Sequence, residues 1–381
     1  MQKFKTEIEF IKKTFGNKEF TPLHEPCFNG NEKKYVLETI DSTFVSSVGK
    51  FVDLFESKIC EYTGAKYAIA VVNGTAALHM SLMLAGVKRD DLVITQALSF
   101  IATCNAISYI GAEPVFIDVD SKTLGLSSES LELFLKDVEV KNGSAYHIPS
   151  QRKISACVPM HTFGMPAEID KIIELCTIFN IPVIEDAAES LGTIYKERHT
   201  GTYGLLGTYS FNGNKTITCG GGGIIVTNDA EIAKMAKHLT TQSKVPHRWE
   251  YVHDHVGYNY RCPNINAALA CAQIEQLESF IENKRVTSKV YKDFFENNDK
   301  LSYLDEPENS RANFWLNAVM LNNAEDRNVF LEETNDANVM TRPIWALMHR
   351  LEMFKHCMHD GLVNSIDIES RLVNIPSSVR K

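Results

Sequence analysis

The sequence predicts an α/β protein: a mostly parallel sheet with helices on both faces, forming a large three-layer domain, followed by a smaller C-terminal α+β domain. Three observations predict it. From Tyr67 to Thr227, short runs rich in Val, Ile and Ala alternate with longer amphipathic stretches. The runs are nearly continuous rather than alternating, as expected of strands covered on both faces. Strand–helix alternation of this kind implies parallel strands joined by crossover helices. Past Arg261 the pattern changes to a long helical stretch and then to shorter mixed elements. We therefore divide the chain into residues 1–262 and 263–381. No repeat or low-complexity linker separates the two parts, so they are expected to pack closely.

The elements follow in order. The opening MQKFKTEIEFIKKTFG alternates charged and apolar residues, which reads as an amphipathic helix and not a secretory leader. Residues 67–72 read as a strand and 74–84 as a helix starting at a small-residue turn. Residues 92–95 form a strand, and Ser99 is placed to cap a helix running to about Tyr109. A strand at 114–119 precedes a helix at 127–136 capped by Ser127. Then come a strand at 154–159, a helix at 167–179, and strands at 182–185, 206–211 and 223–227. In the second part, Ile265, Leu269, Ile274 and Leu277 have helical spacing over residues 264–297. Residues 314–321 and 338–342 read as strands and 324–333 as a helix.

Composition narrows the function. The chain has 381 residues, 44% hydrophobic and 23% charged, with a net charge of −9. That is an ordinary globular balance. The acidic excess argues against nucleic-acid partners, which need clustered Lys and Arg, and no run is long enough for a membrane span. The nine cysteines include no Cys-x-x-Cys pair, and Cys157 and Cys176 sit in apolar stretches. Buried thiols in a reducing compartment, hence a cytoplasmic protein, are the expectation. No metal site is expected. His356-Cys357-Met358-His359 lacks a second ligand pair, and His253-x-His255 is no stronger.

Four features fall at expected strand ends, where ligands of parallel sheets bind. Val72-Asn73-Gly74-Thr75-Ala76 joins a strand to a helix. It reads as a phosphate cradle of backbone N–H groups with the Thr75 hydroxyl, or simply as a tight turn. Ile184-Glu185-Asp186 ends a buried strand with two carboxylates. Ser210-Phe211-Asn212-Gly213-Asn214-Lys215 follows another strand. Gly220–Gly223 permits close backbone approach or positive φ, or reads as a flexible hairpin. Asn214 separates Gly213 from Lys215, which excludes a Walker P-loop. The spacing of Gly201, Gly204 and Gly207 excludes a dinucleotide fingerprint.

Together, a phosphate cradle, a strand-end Asp and a strand-end Lys suit pyridoxal phosphate. A lysine amine condenses with its aldehyde, and a carboxylate keeps its ring nitrogen protonated so that the ring acts as an electron sink. Phe100 is available to stack on the ring.

The stretches VVNGTAALHMSL, SFIATCNAISYIGAEPVFIDVD, PMHTFGMPAEID, IEDAAESLG, SFNGNKTITCGGGGIIVT, VGYNYRCPNINAALACAQ and TRPIWALMHRL resemble the DegT/DnrJ/StrS family of sugar aminotransferases. The resemblance covers almost the whole chain and implies the aspartate-aminotransferase-like pyridoxal phosphate fold (fold type I). LHEPCFNGNEKKYVLETIDSTFVSSVGKFV, SFNGNK and VNIPSSV resemble the legionaminic-acid-pathway subgroup, which acts on a nucleotide-linked 4-keto-6-deoxy-N-acetylhexosamine.

The resemblance implies roles. Lys215 would be the Schiff-base lysine and proton shuttle, and Asp186 would hold the ring nitrogen. Gly74, Thr75, the Ala76 N–H and Ser210 would hold the phosphate. Phe100 would stack on the ring. Asn259 would reach the phosphate of a neighbouring subunit's cofactor, which implies a homodimer with shared sites. Glu189 departs from the family's usual His or Gln near the ring hydroxyl, where a carboxylate would be protonated or turned away. His247, His253, Arg342 and Trp345 are the substrate candidates. The implied reaction is a ping-pong transamination with glutamate as the expected donor, ending in a 4-amino-4,6-dideoxy sugar nucleotide. The alternatives are another keto-sugar acceptor, a non-catalytic sugar-nucleotide binder or regulator on the same scaffold, and a dehydratase branch that has His in place of the lysine, against which Lys215 argues.

Overall fold

The computed structural model describes residues 2–380. The central sheet runs in the order Tyr67–Val71, Gly223–Thr227, Leu206–Ser210, Ile184–Asp186, Arg152–Val158, Leu92–Gln96, Glu113–Ile117. Parallel bridges from Cys157 to Val183 and from Met160 to Asp186 join its two halves. Gly223–Thr227 is antiparallel to both neighbours, and the other strands of this series run parallel. The exception has a cause. The loop between Leu206–Ser210 and Gly223–Thr227 holds no crossover helix, so the chain turns straight back.

Strand alternation sets the layers. Ile69 and Val71 face one side, with Leu78, Met80 and Leu82 of helix Gly74–Leu84 and Ala236 of helix Ala230–Thr240. Ala68 and Ala70 face the other, with Phe51, Phe55 and Ile59 of helix Lys50–Thr63. Helices Ser128–Leu135 and Ile169–Ile178 cover that far side over Ile94, Val115 and Cys157. The mostly parallel three-layer arrangement read from the sequence is present.

Several local expectations are corrected. Helix Ile101–Ile110 starts after Phe100 with no side-chain cap, because the Ser99 hydroxyl lies 3.3 Å from Thr103 Oγ1 instead. Ser127 does cap its helix, accepting the Ser130 N–H at 3.1 Å. The stretch after Asn264 is two helices, Asn264–Ile274 and Leu277–Phe295. They part where the Gln273 and Gln276 amides both reach Glu32 Oε1. The strand expected from Phe314 begins at Asn317, because Phe314 has a φ of 48° that no strand accommodates. Of residues 338–342, Val339 bridges Thr21 and the paired strand is Arg342–Pro343.

The second sheet, Leu301–Tyr303, Asn317–Leu321, Leu372–Ile375 and Arg342–Pro343, is antiparallel throughout. Helix Lys5–Thr14 packs on it: Phe4, Ile8 and Ile11 share a core with Val319, Leu321 and Phe330. The N-terminal helix therefore lies with residues from beyond position 263.

Candidate active site

The strands' carboxyl ends meet at a cavity of about 320 Å³ lined by Gly74, Thr75, Phe100, Asp186, Glu189, Ser210, Lys215, Trp315 and Trp345. That is within the size of small-ligand sites.

Its floor is the start of helix Gly74–Leu84. Asn73 adopts extended backbone there, and its Oδ1 accepts the Ala76 N–H at 2.8 Å. In this structure the Ala76 N–H is therefore taken up by the cap. The N–H groups of Gly74 and Thr75 remain at the open, electropositive helix start. Ser210 ends its strand against this turn; a Cβ on Gly74 would stand 2.9 Å from the Ser210 Cβ. Gly223 closes the turn from below. A Cβ there would lie 2.3 Å from the Asn73 carbonyl oxygen, so the glycine run brings one backbone onto another.

The two carboxylates ending Ile184–Asp186 point to opposite faces. Glu185 is fully buried and structural. It accepts N–H groups of Gly201, Tyr203 and Gly204 at 2.6–2.7 Å and pairs with His161 Nε2 at 3.0 Å. Asp186 lines the cavity. Its Oδ2 accepts the Thr103 hydroxyl at 2.6 Å and its Oδ1 the Ala188 N–H at 3.2 Å. Burial pushes the Asp186 carboxyl up, and these hydrogen bonds pull it back. Among the described residues no cation lies at hydrogen-bonding distance from it. A protonated ring nitrogen would supply that missing charge.

Lys215 sits on the loop after Leu206–Ser210, with its Nζ 3.3 Å from Glu189 Oε1 and 4.0 Å from the centroid of the Trp315 ring. Glu189 is buried, and its Oε2 accepts the Phe163 N–H at 2.8 Å. Burial raises its carboxyl to about 7, against the pull of Lys215 and Phe163. Glu189 is thus not turned away from the site. Phe100 is half exposed, and its ring meets Trp345 edge-on at 5.9 Å.

Four candidates lie elsewhere in the single chain. His247 and His253 belong to an exposed hairpin, with His253 Nδ1 2.7 Å from the Gln242 carbonyl. Asn259 is exposed beside Thr241. Arg342 does not line the cavity, and its guanidinium donates to Asn335 Oδ1 and the Thr341 carbonyl. Sequence reasoning missed Thr103 and Trp315. The SFIAT stretch places a Thr one helical turn beyond Phe100, a signal for the first. Nothing local marks the second.

The pieces fit pyridoxal phosphate: an open helix start for the phosphate, a buried carboxylate lacking a cation for the ring nitrogen, and a lysine lining the same cavity. The comparisons agree. Residues 26–380 match the model of the DegT/DnrJ/EryC1/StrS aminotransferase family. A GDP-perosamine synthase of Escherichia coli O157:H7 is 37% identical over 94% of this chain and 93% of its own length. A DegT DnrJ EryC1 StrS aminotransferase from Brucella abortus shares the fold at a TM-score of 0.82, with 26% identity over 91% of this chain and 90% of that one. Helicobacter pylori PseC, an aminotransferase involved in pseudoaminic acid biosynthesis, superposes at 0.85 over 94% of this chain and 93% of its own, with 22% identity, which speaks to the fold alone. On these matches, the chain belongs to the DegT/DnrJ/EryC1/StrS aminotransferase family and is a pyridoxal phosphate enzyme.

Proposed function

We propose that the enzyme moves an amino group, with glutamate as donor, to the 4-keto carbon of a nucleotide-linked 4-keto-6-deoxy-N-acetylhexosamine. The product is a 4-amino-4,6-dideoxy sugar nucleotide used for legionaminic acid or a related surface glycan. The observation that carries the transamination is the convergence of Lys215 and Asp186 on one cavity with the open start of helix Gly74–Leu84. The 4-amino outcome draws support from the relative named GDP-perosamine synthase. The N-acetylhexosamine rests on the LHEPCFNGNEKKYV and SFNGNK resemblance.

Bound pyridoxal phosphate supplies an electron sink for the carbon that loses its proton. Lys215 takes that proton from the amino donor's α-carbon and returns one at the sugar's C4. Asp186 holds the proton on the ring nitrogen, and Thr103 keeps its carboxylate aimed. Gly74, Thr75 and Ser210 hold the phosphate, and Phe100 covers the ring. Trp345 faces the acceptor.

We place Asn259, His247 and His253 at the site of a second copy, in a cytoplasmic homodimer. Phe44, Val48, Trp249, Tyr251 and Val256 are exposed apolar side chains that a second copy would cover. Among the described residues no cysteine pair is joined in a disulfide, and no helix is long and apolar enough to cross a membrane.

The test is a single-turnover spectrum. The enzyme is converted to its aminated form with glutamate, freed of amino acid, and given the UDP- or the GDP-linked keto sugar separately. Return of the pyridoxal absorption with either establishes the acceptor class and names the nucleotide. No return with either overturns the acceptor.

A further inference from the structure

Lys284 is fully buried on helix Leu277–Phe295. Its Nζ donates to the Trp315 carbonyl at 3.2 Å and to the Ser377 carbonyl. No carboxylate is among its partners in the described residues, and burial lowers the amine to about 7. Charged or neutral, the amine keeps two N–H bonds for the two carbonyls. A methionine would fill the same space without the cost of burying an amine, so the amine's use lies in the carbonyls it joins.

One of those carbonyls belongs to the residue beneath the catalytic lysine. Trp315 is held at three atoms. Its backbone N–H donates to Asn313 Oδ1 at 2.9 Å. Its indole N–H donates to the carbonyl of Asn214, the residue before Lys215, at 2.6 Å. Its carbonyl accepts from Lys284, and its ring lies under the Lys215 Nζ at 4.0 Å. The other carbonyl belongs to the C-terminal segment, which the same helix grips again through Tyr291 to Pro376 and Asn283 to Arg380.

We propose that Lys284 is a positioning residue for the amino transfer: by joining the Trp315 and Ser377 carbonyls it seats the Trp315 ring, and through it the Asn214–Lys215 loop, at the working position. The proposal rests on Lys215 being the proton-handling lysine.

The test compares Lys284→Met, Trp315→Phe, their double variant and Lys215→Ala with wild type. It reads kcat and KM of the holoenzyme and, in cofactor-free protein, the rate at which acetic anhydride modifies Lys215, followed by peptide mass spectrometry. Folded Lys284→Met should lose roughly 10- to 100-fold in kcat, the scale of a small misplacement of a reacting group. Its KM values should stay within about twofold, since substrate contacts are untouched. Its Lys215 modification rate should change while exposed lysines keep theirs. The double variant should be no worse than the worse single, because both act through one ring. Wild-type kcat and labelling in folded Lys284→Met, or losses that multiply, would overturn the proposal. Should Lys284→Met fail to fold, Trp315→Phe decides: unchanged labelling and kcat in that folded variant sink it. Turnover by Lys215→Ala would instead overturn the reading of Lys215, while the labelling of Lys215 in Lys284→Met still reports the link.

Discussion

The Lys215 amine and the Glu189 carboxyl group stand 3.3 Å apart inside the cavity, and burial decides the charge of Glu189. Burial raises its carboxyl from 4.5 to about 7, even with Lys215 and the Phe163 N–H opposing. The folded protein therefore binds a proton at Glu189 that the unfolded chain releases. Stability from this group is complete below pH 4.5 and is lost as pH rises through about 7. In cofactor-free protein, Glu189→Gln should remove this loss, on the order of 3 kcal/mol between the two limits. Urea unfolding at pH 5 and pH 8 checks it. An equal pH slope in wild type and variant would assign the slope to other groups.

Asp186→Asn keeps the side chain's shape and removes its charge. With the Thr103 hydroxyl contact at 2.6 Å intact in outline, kcat should fall roughly 100- to 1,000-fold, the scale for losing one preorganised electrostatic contact. Pyridoxal phosphate should still bind, read by absorbance. A near-normal rate would remove Asp186 from the electron-sink role.

Thr103→Val tests the aiming of that carboxylate. It deletes one hydrogen bond to a buried charge, worth about 1.5–3 kcal/mol. The melting temperature should drop, and kcat should fall more than KM rises. A change confined to KM would place Thr103 with the substrate instead.

Asn73→Ala removes the cap on the Ala76 N–H. Helix N-caps contribute about 1 kcal/mol, and urea titration should register that loss. Unchanged stability would mean that water or another group replaces the cap.

Gly223→Ala drives a methyl to within 2.3 Å of the Asn73 carbonyl oxygen, a backbone atom that cannot swing aside. Overpacking of this sort costs about 1–3 kcal/mol. Because Asn73 precedes the turn proposed to hold the phosphate, cofactor affinity should weaken as well, by fluorescence titration. Gly221→Ala, whose Cβ would meet no atom nearer than 3.7 Å, is the control.

The sequence by itself determined what is local. The apolar runs of the central sheet fall where they were read, because a strand buried on both faces must be apolar along its length. Helix Gly74–Leu84 and strand Gly223–Thr227 have the bounds their residues suggested. That Gly74, Thr75, Asp186, Ser210 and Lys215 share one cavity was legible because each lies at or shortly after a strand end, where parallel sheets bind ligands. Tertiary structure decided everything that joins distant segments. Thr103 of helix Ile101–Ile110 meets Asp186 at the end of its strand, and Trp315, just before the second sheet's strand Asn317–Leu321, places its ring beside Lys215. Lys284 reaches Trp315 and Ser377 at once. Which of Glu185 and Asp186 enters the cavity was set by the pleat of one strand, and that phase is fixed by the neighbours it pairs with. Hydrogen bonds between residues far apart in the chain leave no periodic mark on the sequence, so the supports of the site emerge only when the layers close around it.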